Sequence, residues 1–259
     1  MGLAEKKSFQ FMPLIKSQAR EDFWKAAVRM QGPYEARIRA VVLRFIREMR
    51  RKFLDSMGVE KTSRSDVRRW LVVFDENEDR LAAMLEPDFK RAMRLGGKQV
   101  FGELKTTAAL SFEMPQVVSF YENHEPKLVD VVRTLRDQVN GAIIEGIEAG
   151  DNMLALAERA KEVFSMSQTR ANTIARTETG IAVQGGREIA MEEMNVREHE
   201  WLSARDDNVR QPPKSEFDHT IDGEVVKLGE SFSNGLLYPL DPDGEPGTII
   251  SCRCTTIPL

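Results

Sequence analysis

The chain has 259 residues, of which 41% are hydrophobic and 30% charged, with a formal net charge of -4. This apolar fraction is enough for a core, and no apolar run approaches the length of a membrane span, so a disordered chain and a membrane protein are both disfavoured. Only two cysteines and no recognisable N-terminal signal segment argue against a disulfide-rich secreted protein, and we expect a protein kept in the cytoplasm with no membrane partner.

The first two thirds of the sequence predict helices. Apolar residues recur at helical spacing over 33–57, and further helical patterns cover 63–73 and 77–104. A turn is predicted at Glu125-Pro126, because proline interrupts helices. Asp151 is predicted to cap the helix that follows.

The first predicted helix carries seven basic residues and one acid between residues 37 and 52, although the whole chain is acidic. Such a local patch is typical of a surface for DNA or an acidic protein. The alternative is structural: arginine stems cover the edges of the apolar stripe and keep their charged heads in water. The residues assigned to an anionic-partner surface are Arg37, Arg44, Arg47, Arg50, Arg51 and Lys52.

The pattern changes near Ser167, which is predicted to cap a last long helix. Gly185-Gly186 in its interior costs about 1 kcal/mol per glycine relative to alanine, which indicates that another element packs very close there. Beyond this helix, residues 198–204 alternate like a strand, Asp222-Gly223 predicts a tight hairpin turn, and residues 248–252 form an apolar run before the end.

These patterns predict an α+β fold, in which a mainly α-helical N-terminal region precedes a small C-terminal domain with a long helix and short antiparallel strands. Three segments are predicted: a helical region over 1–112, a helical connecting region over 113–166 and the α+β domain over 167–259.

The two cysteines, Cys252 and Cys254, are separated by one residue. If their segment is a strand, both thiols lie on one face and, with His219, could bind a metal such as zinc. Their spacing is shorter than that of the paired cysteines in structural zinc sites. We therefore expect structural cysteines and no cofactor, with zinc binding and a redox role as the alternatives.

Arg176 and Glu178 are two residues apart on the last predicted helix, so they do not face each other. One interpretation pairs Arg176 with a C-terminal carboxylate such as Asp206, which would pin the helix to the sheet. The other is catalytic, with Glu178 as a general base near His219.

Charged residues also cluster after the predicted strand, and they suit either an acid/base set or turn formers with a solvated rim. They are Asp206, Asp207, Arg210, Asp218 and His219. The sequence contains no P-loop, nucleophile elbow, zinc-protease or dinucleotide fingerprint that would favour an enzyme.

Several segments, taken in order, resemble the phage Mu F-like family of minor head proteins, also called phage head morphogenesis proteins. They are EGIEAGDN, ANTIARTETGIAVQGGRE, EWLSARDDNVR, HTIDGE, YPLDPDGEPG and CRC, within residues 114–259. The family's marked positions fall on Arg176, Thr177, Glu178, Trp201, Asp206, Arg210, His219, Asp222, Gly223, Cys252, Arg253 and Cys254.

The resemblance implies a structural virion protein rather than an enzyme. It would assemble in the host cytoplasm and reside in the virion head, near the portal vertex or in the head interior. Its implied partners are the portal protein, other capsid or scaffold proteins and packaged DNA. The alternative function is a metal-assisted hydrolase or nuclease that uses Glu178, Asp206 and His219.

Overall fold

Helices make up most of the described protein. The structure is a computed structural model that describes residues 17–57 and 64–259. Five long helices come first: α1 (Ser17–Met57), α2 (Arg64–Asp75), α3 (Arg80–Glu103), α4 (Pro115–Glu148) and α5 (Met153–Glu193). Within the described ranges, none of the helices is both long and apolar enough to cross a bilayer. The predictions about an N-terminal signal segment and a helix start at Ser63 concern residues outside the described ones.

A small antiparallel sheet follows the helices. Its strands are β1 (Glu198–Leu202), β2 (Val225–Lys227) and β3 (Thr255–Pro258), in the order β2-β1-β3, and a short helix α6 (Pro246–Ile249) precedes β3. Trp201 of β1 lies opposite Thr256 of β3 and is completely buried. The predicted α+β, mainly helical fold is confirmed.

The central element is α5, which packs against α1, α3 and α4. It is about 60 Å long at 1.5 Å per residue. Every residue from Thr177 to Met191 is buried, so this part of α5 is covered on all sides.

Glycines bring α3 and α5 into close contact, as the Gly185-Gly186 pair predicts. A Cβ added to Gly186 would lie 1.9 Å from the carbonyl oxygen of Met93, and one added to Gly96 would lie 1.9 Å from that of Val183. A Cβ on Gly185 would meet the Phe120 ring at 2.2 Å. The two backbones therefore cross with no room for a side chain.

Some predicted boundaries in the helical part are wrong. The turn predicted at Glu125-Pro126 lies inside α4, because the buried residues on both sides of Pro126 pack against the other helices and outweigh its helix penalty of about 3 kcal/mol. Ser167 does not cap a helix but lies within α5, where its hydroxyl donates to the carbonyl of Val163 at 3.0 Å. The cap of α5 is Asn152, whose side chain accepts from the Ala155 amide at 3.0 Å.

The predicted boundary between residues 166 and 167 therefore falls inside a continuous helix. One hydrophobic cluster includes Phe53 of α1, Leu135 of α4 and Trp201 of β1, one from each predicted segment. The three-segment division stays a prediction.

The first helix contacts the C-terminal part directly. Arg20 binds the carboxylates of Glu200 and Asp222, the latter at 3.2 Å, and its side chain is buried. Trp24 donates from Nε1 to the carbonyl of Arg253 at 2.8 Å. Ion pairs and a hydrogen bond therefore hold the N-terminal turns of α1 against the sheet and the segment before β3.

Candidate functional site

A pocket of about 310 Å³ lies between α5 and the loops around the sheet. Its lining includes Arg176 from α5, Asp206 and Arg210 from the loop after β1, His219, and the segment 252–254 before β3. The structure therefore brings together Arg176, Asp206, Arg210, His219 and both cysteines at one place.

Both cysteines contact the same histidine nitrogen. Nδ1 of His219 lies 3.4 Å from Sγ of Cys252 and 3.8 Å from Sγ of Cys254. All three side chains are buried. The backbone amide of Ala204 also donates to Sγ of Cys254, at 3.3 Å.

The backbone that carries the cysteines is anchored on several sides. The segment is not a strand, which was the condition considered for a shared face: α6 ends at Ile249, Ser251 turns the chain with φ of 59°, and residues 252–254 link that turn to β3. The Ser251 amide donates to Thr177 Oγ1 at 3.0 Å, and Gln184 donates to the Cys254 carbonyl at 3.3 Å. Both thiols nevertheless face the same nitrogen of His219.

The loops after β1 position His219. Its amide donates to the Arg210 carbonyl at 2.9 Å, and its carbonyl accepts from the Ser203 hydroxyl at 2.5 Å. Its ring meets Trp201 edge-on, with ring centroids 5.5 Å apart. These contacts fix the direction in which Nδ1 points.

The two thiols titrate as a pair. The hydrogen bond with Cys254 and the nearby imidazole of His219 hold the pKa of Cys252 well below its usual range, although burial acts in the opposite direction. The same hydrogen bond, burial and the charge on Cys252 raise the pKa of Cys254 well above its usual range.

The ion pair predicted between Arg176 and Asp206 does not form. Asp206 instead accepts from Arg253 Nη1 at 2.8 Å. Arg176 is half-buried, its Nε is fully buried, and it has no hydrogen bond or ion pair with any other described residue. The Asp206 carboxylate binds Arg253, because Arg253 lies on the segment that faces the loop after β1. Arg176 lies in the pocket wall and has no partner among the described residues.

Glu178 lies apart from this pocket. Its Oε2 is 2.6 Å from Nε2 of His124 in α4, and the His124 ring stacks on Phe89 at 5.1 Å. The three residues of the hydrolase alternative therefore have separate partners: Glu178 has His124, Asp206 has Arg253, and His219 has the cysteines. No local pattern in the sequence points to His124.

Most of the other family-motif positions have structural contacts. Asp222 accepts from the Ser203 amide at 3.0 Å and from Arg205 at 2.7 Å, and Gly223 adopts φ of 89° in the turn before β2. The hairpin predicted at Asp222-Gly223 does not form, because residues 220–221 are not a strand and β2, after the turn, pairs with β1. Arg210 donates to the Ile250 carbonyl, which holds the loop against α6.

A buried arginine that the sequence analysis did not single out joins three elements. Arg187 of α5 donates to both carboxylate oxygens of Glu103 at 2.8 Å and to the Thr256 carbonyl of β3 at 2.7 Å. It also donates to Gln99 at 3.3 Å. This guanidinium is the contact between helix and sheet that had been expected of Arg176.

A second buried group lies next to it on α5. Glu188 Oε2 is 3.7 Å from Nδ1 of His199, and both side chains are buried. Burial, with repulsion from Glu192, raises the pKa of Glu188 to about 8. Burial and the charge of Arg187 lower the pKa of His199 to about 4. Both groups are therefore neutral near pH 7.

The basic residues of α1 have two different environments. Arg37, Arg44, Arg47 and Arg51 are exposed, whereas Arg50 and Lys52 are half-buried. Lys52 donates to Asn77 Oδ1 at 2.7 Å and so has a partner within the protein. The four exposed arginines have no ion pair with another described residue.

The match to a known protein family concerns the C-terminal half of the chain. Residues 137–257 match the family described as Phage Mu protein F like protein. An uncharacterized protein of Haemophilus influenzae is 23% identical over 135 residues, which cover 51% of this chain and 27% of that relative. The chain thus spans only about a quarter of the relative's length. No solved structure matches the chain.

Proposed function

Residues 137–257 belong to the phage Mu protein F-like family, and from this premise we propose that the protein is a minor head protein that acts in phage head morphogenesis. The family match is the observation that carries the proposal. The match includes the pocket, the cysteine pair, all of α5 and the sheet except Pro258 at the end of β3.

In this role the protein acts by binding, at the portal vertex or inside the head. It joins the procapsid in the host cytoplasm and stays in the virion head. Its partners are the portal protein and other capsid or scaffold proteins. The separate partners of Glu178, Asp206 and His219 support binding rather than hydrolysis, since a general acid/base set has to meet around one substrate.

The exposed arginines of α1 support a further contact with packaged DNA. Arg37, Arg44, Arg47 and Arg51 recur at intervals that place them along one side of the helix, over about 21 Å. Exposed guanidinium groups without an internal carboxylate partner suit phosphate groups, which arginine binds with two hydrogen bonds. We place the anionic-partner surface on these four residues.

The head role is tested by interrupting the gene in the phage or prophage that encodes the protein. We expect malformed or DNA-free heads in electron micrographs, rescue by the full chain, and the protein in the mass spectrum of purified virions. Co-expression with the neighbouring portal protein should give a complex in size-exclusion chromatography. A normal yield of infectious particles without the protein would contradict the proposal.

The DNA contact is tested by reversing charge at Arg44, Arg47 and Arg51 to glutamate. Binding of a random-sequence duplex should weaken. The slope of log K against log salt should shrink by about 0.9 for each phosphate that the variant no longer neutralises.

A matched control reverses Arg91, Arg133 and Arg136, which change the net charge equally but already have acidic partners at Asp88, Glu78 and Asp75. The control should bind DNA nearly as the wild type does. Equal losses of affinity in the two triple variants would mean that only net charge matters, and would remove α1 from the proposal.

A further inference from the structure

We propose that His219, Cys252 and Cys254 bind one Zn²⁺ ion, and that its fourth ligand is a hydroxide or small anion held in the pocket beside Arg176. The proposal rests on the geometry of these side chains and does not depend on the role in head assembly.

The distances among the three side chains fit a tetrahedral zinc ion. With Zn–S bonds of about 2.3 Å and Zn–N bonds of about 2.0–2.1 Å, the sulfur and nitrogen ligands are about 3.6 Å apart. The two observed Sγ to Nδ1 distances, 3.4 and 3.8 Å, lie on either side of this value. All three ligand atoms lie within 4.8 Å of one another, so an ion can enter with only small shifts.

The donor set also fits the chemistry of zinc. Two thiolates and one imidazole are the ligands of an open Cys₂His site, and two thiolate charges balance the charge of the ion. The amide of Ala204 donates to Cys254 Sγ at 3.3 Å, a contact that stabilises negative charge on a ligand sulfur.

The fold brings both thiols to one place in spite of the short spacing of the cysteines. Ser251 turns the chain, and the segment after it directs both Sγ atoms to Nδ1 of His219. The hydrogen bonds from Gln184 to the Cys254 carbonyl and from Trp24 to the Arg253 carbonyl hold that segment. The two thiols are therefore positioned by α5 and α1 before any ion binds.

The fourth coordination position opens into the pocket. Among the described residues, no further His, Cys, Asp or Glu atom joins this group. Asp206 lines the pocket, but Arg253 holds its carboxylate at 2.8 Å. The fourth ligand therefore comes from solvent.

The charge of the pocket selects an anion for that position. Arg176 and Arg210 both line the pocket, and Arg176 has no partner among the described residues. A half-buried guanidinium whose Nε is buried without a hydrogen bond gains from an anion that approaches it. Hydroxide on zinc, or a small anion bound to it, meets this requirement.

The test uses the full chain, purified under reducing conditions. Elemental mass spectrometry should find about one zinc per chain. Replacement by Co²⁺ should give a thiolate-to-cobalt charge-transfer band and visible bands with the intensity of tetrahedral cobalt. Cys252→Ser combined with Cys254→Ser should lose the zinc and the charge-transfer band.

The matched control is His199→Asn, which removes a buried histidine of β1 that faces Glu188 rather than the thiols. It should keep the zinc. If circular dichroism shows that the double serine variant does not fold, the cobalt spectrum of the wild type is by itself the test of metal binding. A reduced, folded wild type that gives no thiolate-to-cobalt band would overturn the proposal, as would zinc that survives the double substitution.

The fourth ligand is tested with azide on the cobalt form. Azide should change the visible bands of the wild type, and Arg176→Gln should weaken azide binding by about 10-fold or more, the effect of losing a charged hydrogen-bond donor. A spectrum that does not respond to azide would overturn the open position, and equal azide affinity in the Arg176→Gln variant would remove Arg176 from the site.

Discussion

Gly186→Ala should destabilise the protein, although alanine is the better helix former. Gly186 lies in the middle of α5, where the helix crosses α3. An added Cβ would lie 1.9 Å from the carbonyl oxygen and 2.8 Å from the Cα of Met93. These are backbone atoms within a helix, so they cannot turn away as a side chain would.

The size of the effect follows from this geometry. Helix propensity alone favours alanine over glycine by about 1 kcal/mol. The distance to the Met93 oxygen would have to lengthen by about 1 Å, and a gap of that size removes a quarter to a half of the dispersion energy of each atom pair across the interface. Since overpacking costs about 1–3 kcal/mol and more when backbone must move, we expect a net loss of about 3 kcal/mol.

Urea and thermal unfolding followed by circular dichroism would measure this loss. About 3 kcal/mol corresponds to a fall in Tm of roughly 6–12 °C for a chain of this size class. The matched control is Gly141→Ala in α4, where an added Cβ has nothing within 4 Å. That variant should be as stable as the wild type or more stable by up to about 1 kcal/mol.

Gly96→Ala tests whether the close crossing of α3 and α5 causes the loss of stability. Its Cβ would meet the Val183 oxygen at 1.9 Å in the same interface, so the double variant with Gly186→Ala should lose less than the sum of the single losses. Equal stability of Gly186→Ala and Gly141→Ala would refute the close approach of α3 and α5.

Three further predictions concern buried polar groups. Arg187→Met should cost about 3–5 kcal/mol in urea unfolding, because it leaves the Glu103 carboxylate without its partner, and adding Glu103→Gln should recover part of the loss. Burial raises the pKa of Glu188 to about 8 from 4.5, so its contribution to stability is full below about pH 4.5 and is lost as the pH rises through 8. Glu188→Gln should therefore gain on the order of 2–4 kcal/mol relative to wild type between pH 5 and pH 8, measured by urea unfolding at both values. Glu178→Gln keeps a hydrogen-bond acceptor for His124 and should cost less than about 1 kcal/mol by thermal unfolding, whereas Glu178→Ala should cost about 1–3 kcal/mol.

The features that could be predicted from the sequence are those that depend only on residues close together in the chain. The apolar period of α1 and the alternation of β1 are local patterns, and both elements form where these patterns lie, although α1 begins earlier than expected. The glycine pair in α5 predicted a close approach because glycine inside a helix is costly without one. The prediction that both thiols share one side also concerned residues only two positions apart, and both Sγ atoms do contact Nδ1 of His219.

Which charged side chains pair with each other could not be predicted, because these pairings depend on how elements distant in the sequence pack. Arg176 and Arg187 are both arginines of α5, yet only Arg187 contacts a carboxylate, and that carboxylate lies 84 positions away on α3. Glu178 finds its partner 54 positions away in α4, on the helix that had been predicted to break at Pro126. Pairings of this kind follow from the register in which the helices cross, and no short motif encodes it.

The contact between α1 and the segment before β3 also bears on how the chain folds during synthesis. Trp24 and its acceptor at Arg253 are 229 positions apart, and Arg20 is 180 positions from Glu200. A ribosome has therefore made residues 200–253 before the start of α1 can find these neighbours. Until then the apolar side of this part of α1 has to be covered by other elements or by a chaperone, and the contact should form late, at the slower pace of distant contacts.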